Sequence, residues 1–149
     1  MKESKLESLL GGSGEPLQLH HVAVVVRDLA SSIAWYQQYL GFKHQYDFEL
    51  PGAKVTMLVL GNARLELYEV EGASPIIKER QEVGTVLKAE GINHFAFGVD
   101  NVDTAIAALE SKGVEIAVPP TNVPNSSGDR FAFIYDNERM LVELLQAAK

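Results

Sequence analysis

The chain has 149 residues, a formal net charge of -7 at pH 7 and no cysteine. Its acidity and its scattered lysines and arginines exclude a nucleic-acid footprint, because phosphate binding needs clustered positive charge. The missing cysteines exclude disulfides and thiolate metal ligands, so any metal must be held by histidine and carboxylate. The charged N-terminus lacks the apolar run of a signal peptide, and no later stretch approaches membrane-spanning length. We therefore expect a cytoplasmic protein with a small-molecule partner and no contact with membranes or nucleic acid.

The first half of the chain is typical of a strand, a helix and three further strands. Residues 1–16 end in a run rich in glycine and proline, which predicts a flexible arm. A strand is expected from Leu17 to Val26, and Asp28 then stands where a helix N-cap is needed. The helix that follows has an apolar stripe for packing on a sheet and ends at Gly41. Three strand-like stretches come next, at roughly 44–50, 54–60 and 63–70.

The second half repeats this layout. The run His21 to Val26 returns 73 positions later as the run His94 to Val99, again followed by a helical stripe. Asn101 takes the place of the N-cap and Gly113 that of the stop. Strand-like stretches follow at about 114–118, 130–135 and 139–146. We therefore predict an α+β fold in which residues 17–149 form one domain made of two βαβββ modules, at about 17–72 and 91–147. We expect the joining segment, Ala73 to Glu90, to contain a short helix or a mobile loop, and its residues indicate no function.

Strand alternation places two histidines on the face that the helices leave open, since residues two apart share a face. His21 shares its face with Ala23, and His94 shares its face with Ala96, so small neighbours leave room for a cavity. His20 is expected to face the opposite way.

Two glutamates occupy matching strands of the two modules. Glu66 lies between the apolar Leu65 and Leu67, and Glu143 lies between Val142 and Leu144. Both glutamates should therefore point to the open face. Each of the four polar residues, taken alone, is more often structural than functional. Their matched placement in two copies is what indicates a shared site.

The ligand set His21, Glu66, His94 and Glu143 suits a divalent first-row metal, namely zinc, nickel, cobalt, manganese or iron. Four protein ligands leave positions open for water or substrate oxygens, which favours catalysis over scaffolding. A metal on a carbonyl oxygen stabilises the enolate formed when the adjacent C–H loses its proton. Glu143 and Glu66 are the expected acid and base.

Other polar residues are candidates for substrate contact. Arg130, Tyr68 and Tyr135 could touch substrate, although surface ion pairs and core packing explain them as well. The turn-rich stretch from Thr121 to Gly128 predicts either a loop over the site or a plain hairpin connection.

The sequence resembles the vicinal oxygen chelate superfamily, which includes glyoxalase I, methylmalonyl-CoA epimerase, extradiol dioxygenases and the fosfomycin and bleomycin resistance proteins. The resemblance spans about residues 17–146 and implies paired βαβββ modules that form an incomplete barrel around a metal, in a homodimer. The family's ligand positions fall on His21, Glu66, His94 and Glu143. The passages that carry the resemblance are His21-Val22-Ala23-Val24-Val25-Val26-Arg27-Asp28-Leu29, Trp35-Tyr36 leading to Leu40-Gly41-Phe42, Gly91-Ile92-Asn93-His94-Phe95-Ala96-Phe97 and Val142-Glu143-Leu144.

Individual members of the superfamily match the chain in different respects. Glyoxalase I has glutamate as its second ligand, but it commonly carries an arginine for glutathione four residues after its first histidine, where this chain has Val25. Methylmalonyl-CoA epimerase is similar in length and in the sequence around Glu66, although glutamine is frequent at that position. Extradiol dioxygenases use two histidines and one glutamate, so Glu66 would be an extra ligand there. The usual Asp-Pro-x-Gly turn before the last ligand is replaced by the run Asp136 to Arg139.

We expect a metal-dependent isomerase of the epimerase type, or a glyoxalase-type lyase, that abstracts a proton next to a carbonyl of a small oxygenated substrate. One alternative is a non-haem iron dioxygenase that uses His21, His94 and Glu143. Another is a metal-free protein that sequesters a drug or other ligand, as the bleomycin-resistance members do.

Overall fold

The computed structural model describes residues 18–149, so the expected arm at 1–16 and Leu17 lie outside the described residues. The first strand, β1, covers Val22–Val26 only, and residues 18–21 are not part of it. The prediction of a strand from position 17 was therefore too long. His20 and His21 precede the strand and take no part in its alternation.

The first module continues with helix α1 at Leu29–Leu40 and three strands. The Asp28 carboxylate accepts a hydrogen bond from the backbone N–H of Ser31, which confirms the predicted N-cap. Gly41 ends the helix with a φ of 79°, a left-handed conformation that favours glycine. The strands are β2 at Lys43–Leu50, β3 at Ala53–Leu60 and β4 at Ala63–Val70.

The second module has the same order of elements. It contains β5 at Phe95–Gly98, helix α2 at Val102–Ser111, β6 at Ile116–Asn122, β7 at Arg130–Tyr135 and β8 at Leu141–Gln146. The Asn101 side chain accepts from the backbone N–H of Thr104, so the second predicted N-cap is also confirmed. Thr121 pairs with Phe131 and Asn122 pairs with Arg130, so the turn-rich stretch connects a hairpin.

Each module forms its own four-stranded sheet, in the order β1-β4-β3-β2 and β5-β8-β7-β6. After the helix crosses over, three antiparallel strands return the chain to the first strand, so the first and last strands of each module pair in parallel. The fold is α+β, as predicted, and the two sheets do not close into one barrel.

One apolar core joins the helix-covered faces of both sheets. It contains Trp35 and Tyr36 from α1, Leu67 from β4, Ile106 from α2 and Leu144 from β8, all of which are buried. Because both helix-covered faces belong to this core, the two opposite faces are the ones left for a ligand. Neither described helix has the length and apolar character needed to span a bilayer.

Two carboxylates on the turn between β7 and β8 tie the second module to the first. The buried Tyr36 hydroxyl donates to Asp136 at 2.9 Å. The Glu138 carboxylate accepts from the backbone N–H groups of Arg27 and Asp28, at 2.7 Å and 3.1 Å. Arg139 holds a φ of 64°, a left-handed conformation, at the position of glycine in the Asp-Pro-x-Gly turn of the superfamily that the sequence resembles. The altered turn therefore joins the two modules.

The segment that joins the modules contains two short 3-10 helices, at Lys78–Gln81 and Val86–Lys88. Val86 is buried and belongs to a small apolar cluster with Tyr135 and Leu141. The segment therefore packs on the second sheet, on the face opposite the main core.

Candidate metal centre

The first module brings His21 and Glu66 together. Ala23 of β1 lies beside Glu66 of β4 in the parallel register, and His21 precedes Ala23 by two residues. Nε2 of His21 lies 3.2 Å from Oε2 of Glu66, and the Glu66 side chain is 12% exposed. His21 and Glu66 thus lie in contact on the open face of the first sheet.

The second module builds the same pair from equivalent positions. Ala96 of β5 lies beside Glu143 of β8, and His94 precedes Ala96 by two residues. Nε2 of His94 lies 2.8 Å from Oε2 of Glu143, whose side chain is 14% exposed. The two modules therefore use one structural plan to set an imidazole nitrogen against a carboxylate oxygen.

Apolar side chains enclose each glutamate on the side away from the alanine. Met57 of β3 lies opposite Glu66, and Phe133 of β7 lies opposite Glu143 in the register. The Phe133 ring also meets the His94 ring edge to face, with centroids 4.8 Å apart. Such neighbours lower the local dielectric and strengthen any charge interaction at the pair.

Asn93 determines which nitrogen of His94 carries hydrogen. The Asn93 amide group donates to the carbonyl of Val86 at 2.9 Å, and a carbonyl can only accept. The Asn93 oxygen is therefore the atom that lies 2.7 Å from Nδ1 of His94, so Nδ1 must be the donor. Nε2 of the neutral ring is then a lone pair directed at a Glu143 oxygen. Two lone pairs at hydrogen-bond distance repel each other unless a proton lies between them or a metal ion binds both atoms.

His20 gives His21 an analogous neighbour. The Nδ1 atoms of the two rings lie 2.8 Å apart, and the rings meet edge to face with centroids 5.1 Å apart. The prediction that His20 faces away was wrong, because neither histidine is inside β1, where side chains alternate. The residue before each site histidine thus contacts its Nδ1 atom.

The two pairs stand apart, although their histidines line the same cavity. His21 and His94 both line a cavity of about 390 Å³, between the adjoining ends of the two sheets. Among residues 18–149, no three histidine, aspartate or glutamate side chains are close enough together to hold one ion. The structure therefore brings the four predicted residues together as two pairs.

The predicted substrate-contact residues are divided between the two faces. Tyr68 shares the strand and face of Glu66, and partial burial, followed by the nearby Glu66 carboxylate, raises its pKa. Arg130 instead pairs with Asp103 of α2 at 2.8 Å. Tyr135 packs in the small cluster under Val86, with the Arg139 guanidinium over its ring. Of the three, Tyr68 is the one beside a site carboxylate.

Comparison with known proteins agrees with this architecture. Residues 18–144 match the sequence model of the Glyoxalase/Bleomycin resistance protein/Dioxygenase superfamily. The chain belongs to this superfamily. Its similarity to the solved structure of a glyoxalase family protein from Enterococcus faecalis has a TM-score of 0.71 at 24% identity, over 86% of this chain and 96% of that one. This likeness supports the fold.

Three relatives in the superfamily illustrate its range. The chain is 31% identical to the uncharacterized protein YwkD of Bacillus subtilis, over 86% of this chain and 95% of that protein. It is 33% identical to the mitochondrial methylmalonyl-CoA epimerase of Bos taurus, over 87% of this chain and 74% of the relative. It is 26% identical to the lactoylglutathione lyase of Schizosaccharomyces pombe, over 89% of this chain but 48% of the relative. Two relatives are therefore enzymes by name, with different reactions.

Proposed function

We propose that this superfamily member is a metal-dependent isomerase of the epimerase type, which moves a proton at the carbon next to a carbonyl group. One observation carries the proposal. Each module directs the Nε2 atom of a histidine at a glutamate oxygen, at 3.2 Å in the first module and 2.8 Å in the second. In the second module the Asn93 contact leaves a lone pair on that nitrogen of the neutral ring, which is the atom that a metal ion would bind.

The chemistry of the four donor groups suits a divalent metal, which would draw the two pairs together when it binds. His21, Glu66, His94 and Glu143 would hold the ion, and two nitrogens with two carboxylate oxygens suit zinc, nickel, cobalt, manganese or iron. When bound, the ion supplies positive charge that stabilises the negative charge developing on a substrate carbonyl oxygen. The four residues all belong to one chain, and both histidines line one cavity of it. We therefore propose a site that is completed within a single chain.

The glutamates are the groups proposed to carry the proton. Epimerisation needs one carboxylate to take a proton from one side of the carbon and a second acid to return a proton on the other side. Glu66 and Glu143 come from different modules, so they can approach a substrate from two sides. Met57 and Phe133, which flank them, exclude water from the carbanion-like species.

An acyl-CoA type of substrate is favoured over a glutathione adduct. The epimerase relatives exceed 30% identity, whereas the lactoylglutathione lyase is at 26%. Glyoxalase I resembles the chain less in a second respect, since Val25 stands where it commonly has an arginine for glutathione. Val25 is 55% exposed, on the same face of β1 as Ala23, and offers no charge to a carboxylate there.

Solvent deuterium exchange tests the proposed reaction. Metal-loaded protein in deuterium oxide, kept free of oxygen, should introduce deuterium at the carbon next to the thioester of methylmalonyl-CoA, as followed by mass spectrometry. Glu66→Gln and Glu143→Gln should each lower the exchange rate by about 100-fold or more. Glu115→Gln is the matched control, because Glu115 is a surface residue paired with Arg139. Full exchange in both site variants with metal still bound would refute the assigned roles.

The same preparations separate the alternatives. Formation of lactoylglutathione from the hemithioacetal of methylglyoxal, without exchange into methylmalonyl-CoA, would identify a glyoxalase-type lyase. Oxygen uptake that depends on ferrous iron and a catechol would identify a dioxygenase that uses His21, His94 and Glu143. A protein that retains no metal after supplementation with cobalt or zinc would be a sequestering protein.

We also propose that the protein is a cytoplasmic homodimer, in which each subunit keeps its own site. Sedimentation velocity measures the assembly. Mixing His21→Ala with His94→Ala then tests the location of the site, because ligands donated across the interface would regenerate one intact site in a mixed dimer. We expect no recovery of activity, and recovery to about a quarter or more of wild type would assign the site to two subunits.

A further inference from the structure

The segment that joins the two modules is held by hydrogen bonds to the backbone just before His94. The Arg80 guanidinium donates to the backbone carbonyls of Glu90 and Ile92. Val86, one turn of 3-10 helix further on, is buried against Tyr135 and Leu141 of the second sheet. The packing of Val86 and the Arg80 contacts therefore hold the joining segment, and with it the Val86 carbonyl, against the second module.

The Val86 carbonyl in turn determines the orientation of Asn93. It accepts from the Asn93 amide nitrogen at 2.9 Å, and the Asn93 oxygen then accepts from Nδ1 of His94 at 2.7 Å. Nε2 of His94 faces Glu143 at 2.8 Å. A continuous series of polar contacts thus runs from the joining segment to the site carboxylate.

We propose that Asn93, held by the Val86 carbonyl of the joining segment, is a positioning residue that keeps hydrogen on Nδ1 of His94 and so reserves Nε2 for a metal ion. The metal is the one required by the proposed function, on which this inference rests. The joining segment, to which the sequence assigns no role, is then part of the metal centre's support. A ligand histidine needs such a partner, because its two neutral tautomers present different nitrogens to the ion.

Without the Asn93 oxygen, the His94 ring would be more stable with its hydrogen on Nε2 than on Nδ1. Hydrogen on Nε2 would donate to Glu143 across the existing 2.8 Å gap, and this contact would consume the nitrogen that the metal needs. The Asn93 contact therefore deprives the metal-free protein of a favourable hydrogen bond between His94 and Glu143, but it leaves Nε2 of His94 able to bind the metal. This trade distinguishes a positioning residue from one that only stabilises the fold.

Nitrogen NMR of the metal-free protein tests the tautomer directly. A long-range proton–nitrogen correlation spectrum at about pH 8.5 distinguishes hydrogen on Nδ1 from hydrogen on Nε2 in each histidine. The chain has 4 histidines, and a His94→Gln spectrum assigns the signal. We expect hydrogen on Nδ1 of His94 in the wild type and in Asn93→Asp, which keeps an acceptor oxygen. In Asn93→Leu we expect it on Nε2, with the signals of the other histidines unchanged. Hydrogen absent from Nδ1 in the wild type, or retained there in Asn93→Leu, would overturn the proposal.

Metal affinity provides the second readout. Titration with Zn²⁺ should show binding weakened by about 10- to 100-fold in Asn93→Leu and restored most of the way in Asn93→Asp. Asn137→Leu is the matched control, since Asn137 bonds Ser32 of α1, away from the site, and should bind Zn²⁺ as the wild type does. Equal affinity in Asn93→Leu and wild type would overturn the positioning role. A wild type that shows the expected tautomer but binds no metal would instead refute the proposed function alone.

Discussion

Replacing Tyr36 with phenylalanine tests the contact that joins the two modules. Tyr36 is fully buried, its ring packs against Trp35 and Phe42, and its hydroxyl donates to Asp136, a residue 5% exposed. Phenylalanine keeps the ring contacts and removes only the donor. The variant therefore isolates one hydrogen bond between residues 100 positions apart in the sequence.

The expected loss follows from the chemistry of the contact. A hydrogen bond to a charged group contributes about 1.5–3 kcal/mol, and a buried acceptor left without its donor costs a similar amount. Asp136 keeps two backbone donors, the N–H groups of Glu138 and Met140, both at 2.9 Å. We therefore expect the free energy of unfolding to fall by about 2 kcal/mol, which for a chain of 149 residues lowers Tm by roughly 4–8 °C.

Urea unfolding at one protein concentration measures this change. The single tryptophan, Trp35, is buried beside Tyr36 and reports the transition by its fluorescence. Tyr39→Phe is the matched control, because the Tyr39 ring also contacts Trp35 but its hydroxyl makes no hydrogen bond to the described part of the chain. A loss below about 0.5 kcal/mol, or one equal to that of the control, would show that the hydroxyl does not hold the modules together.

Three further predictions concern the same fold. Burial, and secondarily Asp136, raises the pKa of Tyr36 well above its ordinary value of 10.0. The contribution of the Tyr36 hydroxyl to stability is therefore complete below about pH 10 and declines above it. The free energy of unfolding, measured from pH 9 to 11, should fall more steeply with pH for the wild type than for Tyr36→Phe. Asn101→Ala should lower the free energy of unfolding by about 1 kcal/mol, whereas Asn101→Asp should keep it, because the side-chain oxygen caps α2. Gly41→Ala should cost about 1 kcal/mol in the same assay, since its φ of 79° strains any side chain, while Gly98→Ala, at an unstrained and open position, should cost nothing.

The helices and most strands are predictable because their signals are local. The apolar stripe, the Asp28 cap and the Gly41 stop predict a helix that the structure places at Leu29–Leu40. Alternation within β4 and β8 likewise predicts that Glu66 and Glu143 lie on the face away from the main core, where they are found. In these cases, the physics that decides the structure acts between residues a few positions apart.

Contacts just outside the strands escape the same reasoning. His20 and Asn93 each precede a site histidine, and both contact its Nδ1 atom. Alternation assigns such a neighbour to the opposite face, but the strands begin after both histidines, at Val22 and Phe95. The one visible signal was that a polar residue precedes the histidine in both copies. A strand boundary depends on where pairing with a distant partner begins, which one strand's residues do not specify.

The amino-acid sequence by itself determined the two modules, the faces of their strands and the histidine and glutamate in each, because periodicity and end signals act over short distances. Only the tertiary structure decided that the joining segment supports His94 through Asn93, that Tyr36 meets Asp136, and that the four site residues stand as two pairs. These relations join residues far apart in the chain, and they depend on how packed sheets meet, which no local pattern records.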